Sequence, residues 1–385
     1  MTRLNLHLYP SPCRFESRMM RITGSLAKAD YFDRIDLVGI WEPGLAETEE
    51  IDDRRRIVRI NLSTPSRRLG GAGRLLRLLE WNLAIRRRYR DERVRCVNPH
   101  TVWALPAANW LAARHKAVNF YDTHELETET HASRGLRQAV SRFIERRYIS
   151  DVDAIGVVSC GIEDWYHEHY GHQEIHTLKN YPLSGAQPGQ SRQLKDAFGL
   201  SDNDVLFIYQ GHLSRGGVIT TLLEAFSRVP ADRHLVFMGF GPFAEDLQAI
   251  AERTPTIHFQ PAVPFQDVPI YTGSADVAIV LFSDTCLSYR HVLPNKLLES
   301  LNAGVPVVFS DLPDMRNEVL PYGAGWAVGP SVDDLVDLVT SLDHAEIKQR
   351  KKGAMRWSRD KSWDDIESLI HGIYDRLLAP EDSRS

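Results

Sequence analysis

Val292-Leu-Pro-Asn-Lys-Leu-Leu-Glu-Ser-Leu-Asn-Ala-Gly-Val-Pro-Val-Val-Phe-Ser310 reads as a helix running into a buried parallel strand. Pro294 occupies the first helical position, where a missing N–H costs nothing. Leu297, Leu298 and Leu301 give the helix an apolar face, and Gly304 stops it with a residue that tolerates positive φ. Val305 to Phe309 has the unbroken apolar character of a strand covered on both faces. The free N–H groups of Asn295 and Lys296 make an anion site at the positive end of the helix dipole. Lys296 adds a full charge, and Glu299 lies one turn deeper on roughly the face of Asn295. Phosphate donors at the mouth and a carboxylate inside suit a nucleotide diphosphate whose ribose hydroxyls need an acceptor. The competing reading is an ordinary helix–strand unit with a solvated Lys and Glu.

The same alternation extends in both directions, so the expected fold class is α/β with parallel sheets. In the first half the strand candidates are Asn5–Tyr9, Ile35–Ile40, Ile57–Asn61, Arg95–Asn98, Ala117–Tyr121, Ala154–Val158 and Ile175–Lys179. Helical patterns cover Met19–Ala29, Gly73–Tyr89, Trp103–Arg114 and Gly135–Ile149. Tyr181–Gln190 holds two Pro and two Gly among polar residues and is the best linker candidate. Beyond it come strands Val205–Gln210, His234–Met238, Ile257–Gln260, Val277–Phe282, Val305–Phe309 and Trp326–Val328, with helices Gly217–Arg228 and Phe243–Arg253. Helices Val332–Leu342, Ala345–Arg359 and Trp363–Leu378 close the chain, and Pro380–Ser385 reads as a frayed polar tail. The expected domains are 1–180, a linker 181–193, a second domain 194–362, and a last helix 363–385 returning to the first domain. Two Rossmann-like domains facing each other across a cleft is the simplest architecture for 385 residues.

A 43% hydrophobic and 25% charged composition is that of a globular protein, and no apolar run reaches the roughly 20 residues of a bilayer span. Met1–Pro10 has a short apolar–polar alternation and no hydrophobic signal core. Cys13, Cys96, Cys160 and Cys286 are scattered without a CxxC pair, which argues against zinc and for a reducing cytoplasm. The net charge of −5 hides an asymmetry: 28 Lys+Arg face 24 Asp+Glu through Gln190, against 18 and 27 beyond it. Arg67, Arg68, Arg74, Arg77, Arg86, Arg87, Arg88, Arg90, Arg93 and Arg95 crowd one segment, interleaved with Leu75, Leu76, Leu79, Trp81 and Leu83. Arg134, Arg137, Arg142, Arg146 and Arg147 form a second group. Such helices either rest on an anionic membrane or present a solvated face. Nucleic acid is disfavoured by the acidic balance and the absence of a nucleic-acid module.

Ligands of open α/β sheets lie beyond the carboxyl ends of the strands. Gln210-Gly-His-Leu-Ser-Arg-Gly-Gly217 follows a strand there; its glycines admit a ligand to the backbone and Arg215 can pair with phosphate oxygens. Gly239-Phe-Gly-Pro242 is a second such turn. In the first half Asn119-Phe-Tyr-Asp-Thr-His-Glu-Leu-Glu127 ends a strand, and His124 between Asp122 and Glu125 is a candidate acid, base or hydroxyl ligand. No HxxxH pair supports a metal. No GxSxG elbow supports a serine hydrolase, and the glycine-free turn Tyr9-Pro-Ser-Pro-Cys13 disfavours a dehydrogenase.

Taken together these segments resemble the retaining glycosyltransferases of family 4, which have the GT-B fold. The resemblance is carried by Tyr209-Gln-Gly211, Gly239-Phe-Gly-Pro242, Ser274-Ala-Asp-Val277, Pro294-Asn-Lys-Leu-Leu-Glu299, Ala303-Gly-Val-Pro-Val307, Asp311-Leu-Pro313 and Gly325, with Tyr121-Asp-Thr-His-Glu125 on the acceptor side. It implies metal-independent transfer of a sugar, without a cofactor, from a nucleotide diphosphate sugar to a glycan or lipid-linked acceptor. The basic N-terminal helices suggest a lipid-linked or membrane-proximal acceptor, hence a cytoplasmic place at the inner face of the membrane and a role in surface polysaccharide synthesis. His124, Arg215 and Lys296 would serve the reacting centre. Gly211, His212, Gly239, Gly241, His291, Asn295, Lys296, Leu297 and Glu299 would bind the donor, with Asp122, Glu125 and Arg18 on the acceptor side. The sequence departs from the pattern at His291, where the first of two paired glutamates stands in the family, and at His212, where an arginine is usual. Arg215 is then the nearby cation for the leaving diphosphate. An epimerase or hydrolase of the same fold, or a non-catalytic nucleotide-sugar-binding subunit, are the alternative readings.

Overall fold

A computed structural model describes residues 3–14, 16–64, 71–131, 133–172, 174–183 and 191–379. The linker candidate from 184 to 190, the arginines at 67 and 68, and the tail from 380 lie outside the described residues.

The chain forms two compact units, one of residues 1–179, 286–288 and 366–385, the other of 180–285 and 289–365. Unit 1 is built on eight strands: β1 Leu4–Leu8, β2 Arg34–Ile40, β3 Thr48–Glu50, β4 Arg55–Ile60, β5 Val94–Pro99, β6 Val118–Asp122, β7 Ala154–Val157 and β8 Ile175–Thr177. Their order is β3-β4-β2-β1-β5-β6-β7-β8, parallel except for the β3–β4 pair. The order reverses between β1 and β5, so their carboxyl ends open the crevice where such sheets hold ligands. Unit 2 has β9 Val205–His212, β10 Arg233–Phe240, β11 Ile257–Pro261, β12 Val277–Val280, β13 Val307–Ser310 and β14 Gly325–Val328, all parallel in the order β11-β10-β9-β12-β13-β14. Its switch point lies between β9 and β12.

The buried strands are near-continuous hydrophobic runs because helices cover both faces. In unit 2, Phe207, Phe226, Phe237, Val277, Ile279, Val308 and Leu335 share one core. In unit 1, Leu4, Leu6, Leu8, Trp81, Val97 and Leu111 form one cluster, and Trp103, Leu105, Tyr121, Ile155 and Tyr166 another. The final helix, Trp363–Leu378, enters unit 1 from Ile366 on, where Tyr374 accepts a hydrogen bond from Asn98 at 2.6 Å.

Three local expectations change. Pro294 is the N-cap, in extended conformation, and the helix is Asn295–Asn302; Gly304 follows with φ 74°. The following strand starts at Val307, after Pro306, which has no N–H for a ladder. The edge strand β3 and the helix Cys160–Tyr170 were not signalled by periodicity.

Candidate functional site

In unit 2 the carboxyl ends of β9 and β10 run side by side, with Gly211 paired to Gly239 and His212 to Phe240. A Cβ on Gly239 would lie 1.9 Å from the Gly211 carbonyl oxygen, and one on Gly241, at φ 144°, 2.3 Å from that of Leu213. These two glycines let the strand ends pack. Gly211, at φ 125°, has open space where a Cβ would be, so its backbone is the one a ligand can approach. His212 is exposed and its ring meets the edge of Phe240, ring centroids 5.8 Å apart.

Lys296 lies in the first turn of Asn295–Asn302, facing the switch point. Its Nζ sits 4.4 Å from the Tyr209 ring centre and 5.4 Å from that of Phe282, and it makes no ion pair among the described residues. Burial lowers its pKa from 10.5 to about 8, against a weaker upward pull from Glu299. Glu299 accepts from Gln210 Nε2 at 3.4 Å, and Gln210 Oε1 accepts from Thr272 Oγ1 at 2.6 Å. This brings a cation, a fixed carboxylate and an open glycine backbone to one strand-end cluster. Asn295 is exposed, its Oδ1 accepting from Asn180 at 2.7 Å. The Leu297 side chain is fully buried in the helix's apolar stripe, as its spacing predicts, and its N–H donates to the Pro294 carbonyl at 3.0 Å. His291 Nδ1 lies 3.1 Å from Oδ2 of the buried Asp314, so the histidine standing in the glutamate position is held by a carboxylate. Arg215 is 76% exposed, pairs with Asp246 at 3.3 Å and lies over the Phe243 ring. In this conformation it is a surface cation beside the site.

In unit 1 the ends of β1, β5 and β6 gather a histidine cluster. Asp122 closes β6 and is 1% exposed. Arg18 Nε reaches both its oxygens at 3.1 and 3.2 Å, and Nη1 donates to the Leu178 carbonyl. Arg18, expected on the acceptor side, is therefore an interior cation, 5% exposed. Burial would raise the Asp122 pKa, but the Arg18 charge and the His100 contact hold it well below the ordinary value. His100, just after β5, places Nδ1 3.0 Å from Asp122 Oδ2 and 3.1 Å from His124 Nε2. Its Nε2 lies 2.8 Å from His7 Nδ1, and His7 Nε2 lies 3.0 Å from Asn5 Nδ2. Tyr9 packs against His124 with ring centroids 5.5 Å apart. Glu125 accepts from Ser288 at 3.3 Å. Glu127 accepts from Thr101 Oγ1 at 2.6 Å and from the Val102 N–H, and burial pushes its pKa up to about 7.

Sequence reading missed His7, His100, Gln210 as an orienting group, Glu127, and the two aromatic walls of Lys296. His100 had a weak signal, a polar residue directly after a strand. His7 and Asn5 lie on a central strand whose alternation looks half-exposed but is buried on both faces.

His100, Asp122 and His124 are also the described group whose ligand atoms lie close enough, within 4.8 Å, to hold a metal ion. The donor set fits poorly. Asp122 is already neutralised by Arg18, and a cation there would face the guanidinium and displace the ring proton that His100 directs at the carboxylate.

Residues 204–343 match the family model described as Glycosyl transferases group 1. No curated protein sequence matches the chain. Sucrose-phosphate synthase from Thermosynechococcus elongatus superposes with a TM-score of 0.80 at 15% identity, covering 98% of this chain and 99% of that one. Anabaena HepE in complex with UDP and glucose gives 0.72 at 14% identity, covering 97% and 99%. WaaG, a glycosyltransferase involved in lipopolysaccharide biosynthesis, gives 0.66 at 14%, covering 98% and 100%. The chain thus has the GT-B fold, and the match of residues 204–343, within unit 2, to the group 1 glycosyl transferase model supports a glycosyltransferase.

Proposed function

We propose that the chain is a retaining, metal-independent glycosyltransferase that takes its sugar from a nucleotide diphosphate sugar. The observation that carries this is Lys296, a half-buried ammonium held between aromatic rings without an ion pair among the described residues, beside the fixed carboxylate of Glu299. A lysine without an ion-pair partner at a helix start is suited to an incoming diphosphate. Glu299 is the acceptor for the ribose hydroxyls, and the open backbone at Gly211 admits the phosphates. In the reaction the bond from the anomeric carbon to the phosphate oxygen breaks and the bond to the acceptor oxygen forms on the same face. The acceptor's proton passes to the leaving phosphate, whose charge is stabilised by Lys296, the helix N–H groups and Arg215. His124 orients a sugar through a hydrogen bond.

A glycan or lipid-linked acceptor is favoured by the surface of unit 1. Helices Gly71–Tyr89 and Gly135–Tyr148 pack Leu75, Leu78, Val140 and Ile144 on one cluster, yet leave Leu76, Leu79, Leu83, Leu136 and Phe143 at 50% exposure or more among arginines. Apolar side chains ringed by basic ones suit an anionic lipid surface, which supports the reading of a peripheral membrane enzyme of surface polysaccharide synthesis. No described helix is long and apolar enough to cross a membrane.

The test is a thermal-shift screen against UDP-, GDP- and TDP-sugars, followed by transfer assays with soluble and lipid-linked acceptors in EDTA. One donor class should raise Tm by mass action and transfer only when acceptor is present. Glu299→Ala should weaken that donor, and unchanged nucleotide affinity would remove the ribose assignment. Turnover without acceptor would indicate an epimerase or hydrolase; binding without any transfer would indicate a scaffold subunit.

A further inference from the structure

The histidine cluster of unit 1 has a direction, and it can be worked out from either end. Asp122 is ionised beside Arg18 and only accepts hydrogen bonds, so His100 Nδ1, 3.0 Å from Oδ2, must carry a proton. Full burial disfavours a charged His100 and outweighs the upward pull of Asp122, so its Nε2 is a lone pair. His7 Nδ1, 2.8 Å away, then donates to it. His7 is fully buried too, and burial disfavours its charged form, leaving Nε2 as an acceptor. The Asn5 side chain meets it with its amide Nδ2 at 3.0 Å, while its Oδ1 has no partner among the described residues. The far end of the chain therefore agrees with the deduction made from the carboxylate.

The consequence falls on His124. Its Nε2 lies 3.1 Å from His100 Nδ1, which already carries a proton, so two N–H groups would collide if His124 were protonated there. The alternative acceptor for such a proton, Asp122 Oδ2, is 3.6 Å away, beyond a hydrogen bond. The ring proton of neutral His124 belongs on Nδ1, and its side chain is 25% exposed.

We infer that Asn5, His7 and His100 are positioning residues forming a one-way hydrogen-bond chain that holds His124 as its Nδ1–H tautomer. His124 accordingly offers the ligand a donor, and the matching ligand group is an oxygen with a free lone pair, such as a sugar hydroxyl or ring oxygen. It does not offer a basic nitrogen on Nδ1. The inference rests on the proposed reading of His124 as the group that orients a sugar. It adds which atom of His124 does so, and why a residue as remote as Asn5 matters.

The experiment is multiple-bond proton–nitrogen correlation on the full chain labelled with 15N-histidine at pH 8, with His124 assigned by its loss in His124→Ala. The expected result is a proton on Nδ1 of His7, His100 and His124. In His100→Leu the opposing N–H is gone, so His124 should move its proton to Nε2, and kcat/KM should fall about tenfold through loss of one oriented hydrogen bond. Protonation of wild-type His124 at Nε2, or an unchanged His124 in His100→Leu, would overturn the inference. Should His100→Leu not fold, the wild-type spectrum decides alone. The spectra need no substrate, so a chain with these tautomers but no sugar transfer would refute the functional reading and leave the hydrogen-bond chain standing.

Discussion

Lys296→Met separates a functional cation from a structural one, because it should move stability and affinity in opposite directions. Methionine keeps an apolar stem against Tyr209 and Phe282 and removes only the charge. Holding the lysine at about 8 instead of 10.5 means that the fold disfavours its ammonium by about 3 kcal/mol. Partial solvent access reduces what is recoverable, so the variant should be about 1–2 kcal/mol more stable at pH 7 by urea denaturation. Between pH 8 and 10.5 the unfolded chain binds the proton that the folded one has lost. Wild-type stability therefore rises across that window and the variant's advantage disappears. Nucleotide binding should behave inversely. A charge-assisted contact with a diphosphate is worth about 1.5–3 kcal/mol, so the dissociation constant should rise by about ten- to a hundredfold in Lys296→Met. Wild-type affinity should also decline above pH 8, as the free lysine loses its proton, while the variant stays flat. Isothermal titration with the nucleoside diphosphate reads both. A variant that is less stable, or that binds as tightly as wild type, would refute the reasoning.

Glu127→Gln should be near neutral at pH 4.5 and stabilising by about 1–3 kcal/mol at pH 8. The folded carboxyl titrates near 7, so the fold holds the proton that the unfolded chain releases above about 4.5, and wild-type stability is lost as pH rises through 7. Urea midpoints at the two pH values check it, and equal effects at both would contradict the assignment. Gly241→Ala should cost about 2–4 kcal/mol, since its Cβ meets a backbone carbonyl and its φ is positive, whereas Gly216→Ala, open but at φ 93°, should cost about 1–2 kcal/mol. Introducing a carboxylate by His291→Glu should lower stability by about 1–3 kcal/mol at pH 7, with recovery near pH 4, because it faces buried Asp314. A stable His291→Glu protein would show that Asp314 turns away.

The strands were legible because parallel strands covered on both faces are unbroken apolar runs. Val205–Gln210 and Ile35–Ile40, for example, fall inside β9 and β2. β3 was not, because Thr48–Glu50 is wholly exposed and has no apolar residue to mark it. Helix Cys160–Tyr170 was hidden by its aromatic and histidine-rich composition, which blurs an apolar stripe. On the donor side Glu299, Lys296 and Gly211 could be singled out because motif spacing within one helix or loop survives in one dimension. The walls of Lys296 come from β9 and from the end of β12, and their meeting is a property of strand order. Arg18 and Asp122 were both singled out, but not as partners, since 104 residues separate them. His7 and Asn5 misled for a physical reason: an alternating strand normally faces water on one side, and here that side faces a buried polar network.

The central claim is tested most directly by following nucleoside diphosphate release and the anomeric configuration of the product when the full chain is given nucleotide diphosphate sugars with and without acceptor. Release should depend on acceptor, and the product should keep the donor's anomeric configuration. Release without acceptor, an inverted product, or no reaction with any donor and acceptor would contradict the claim.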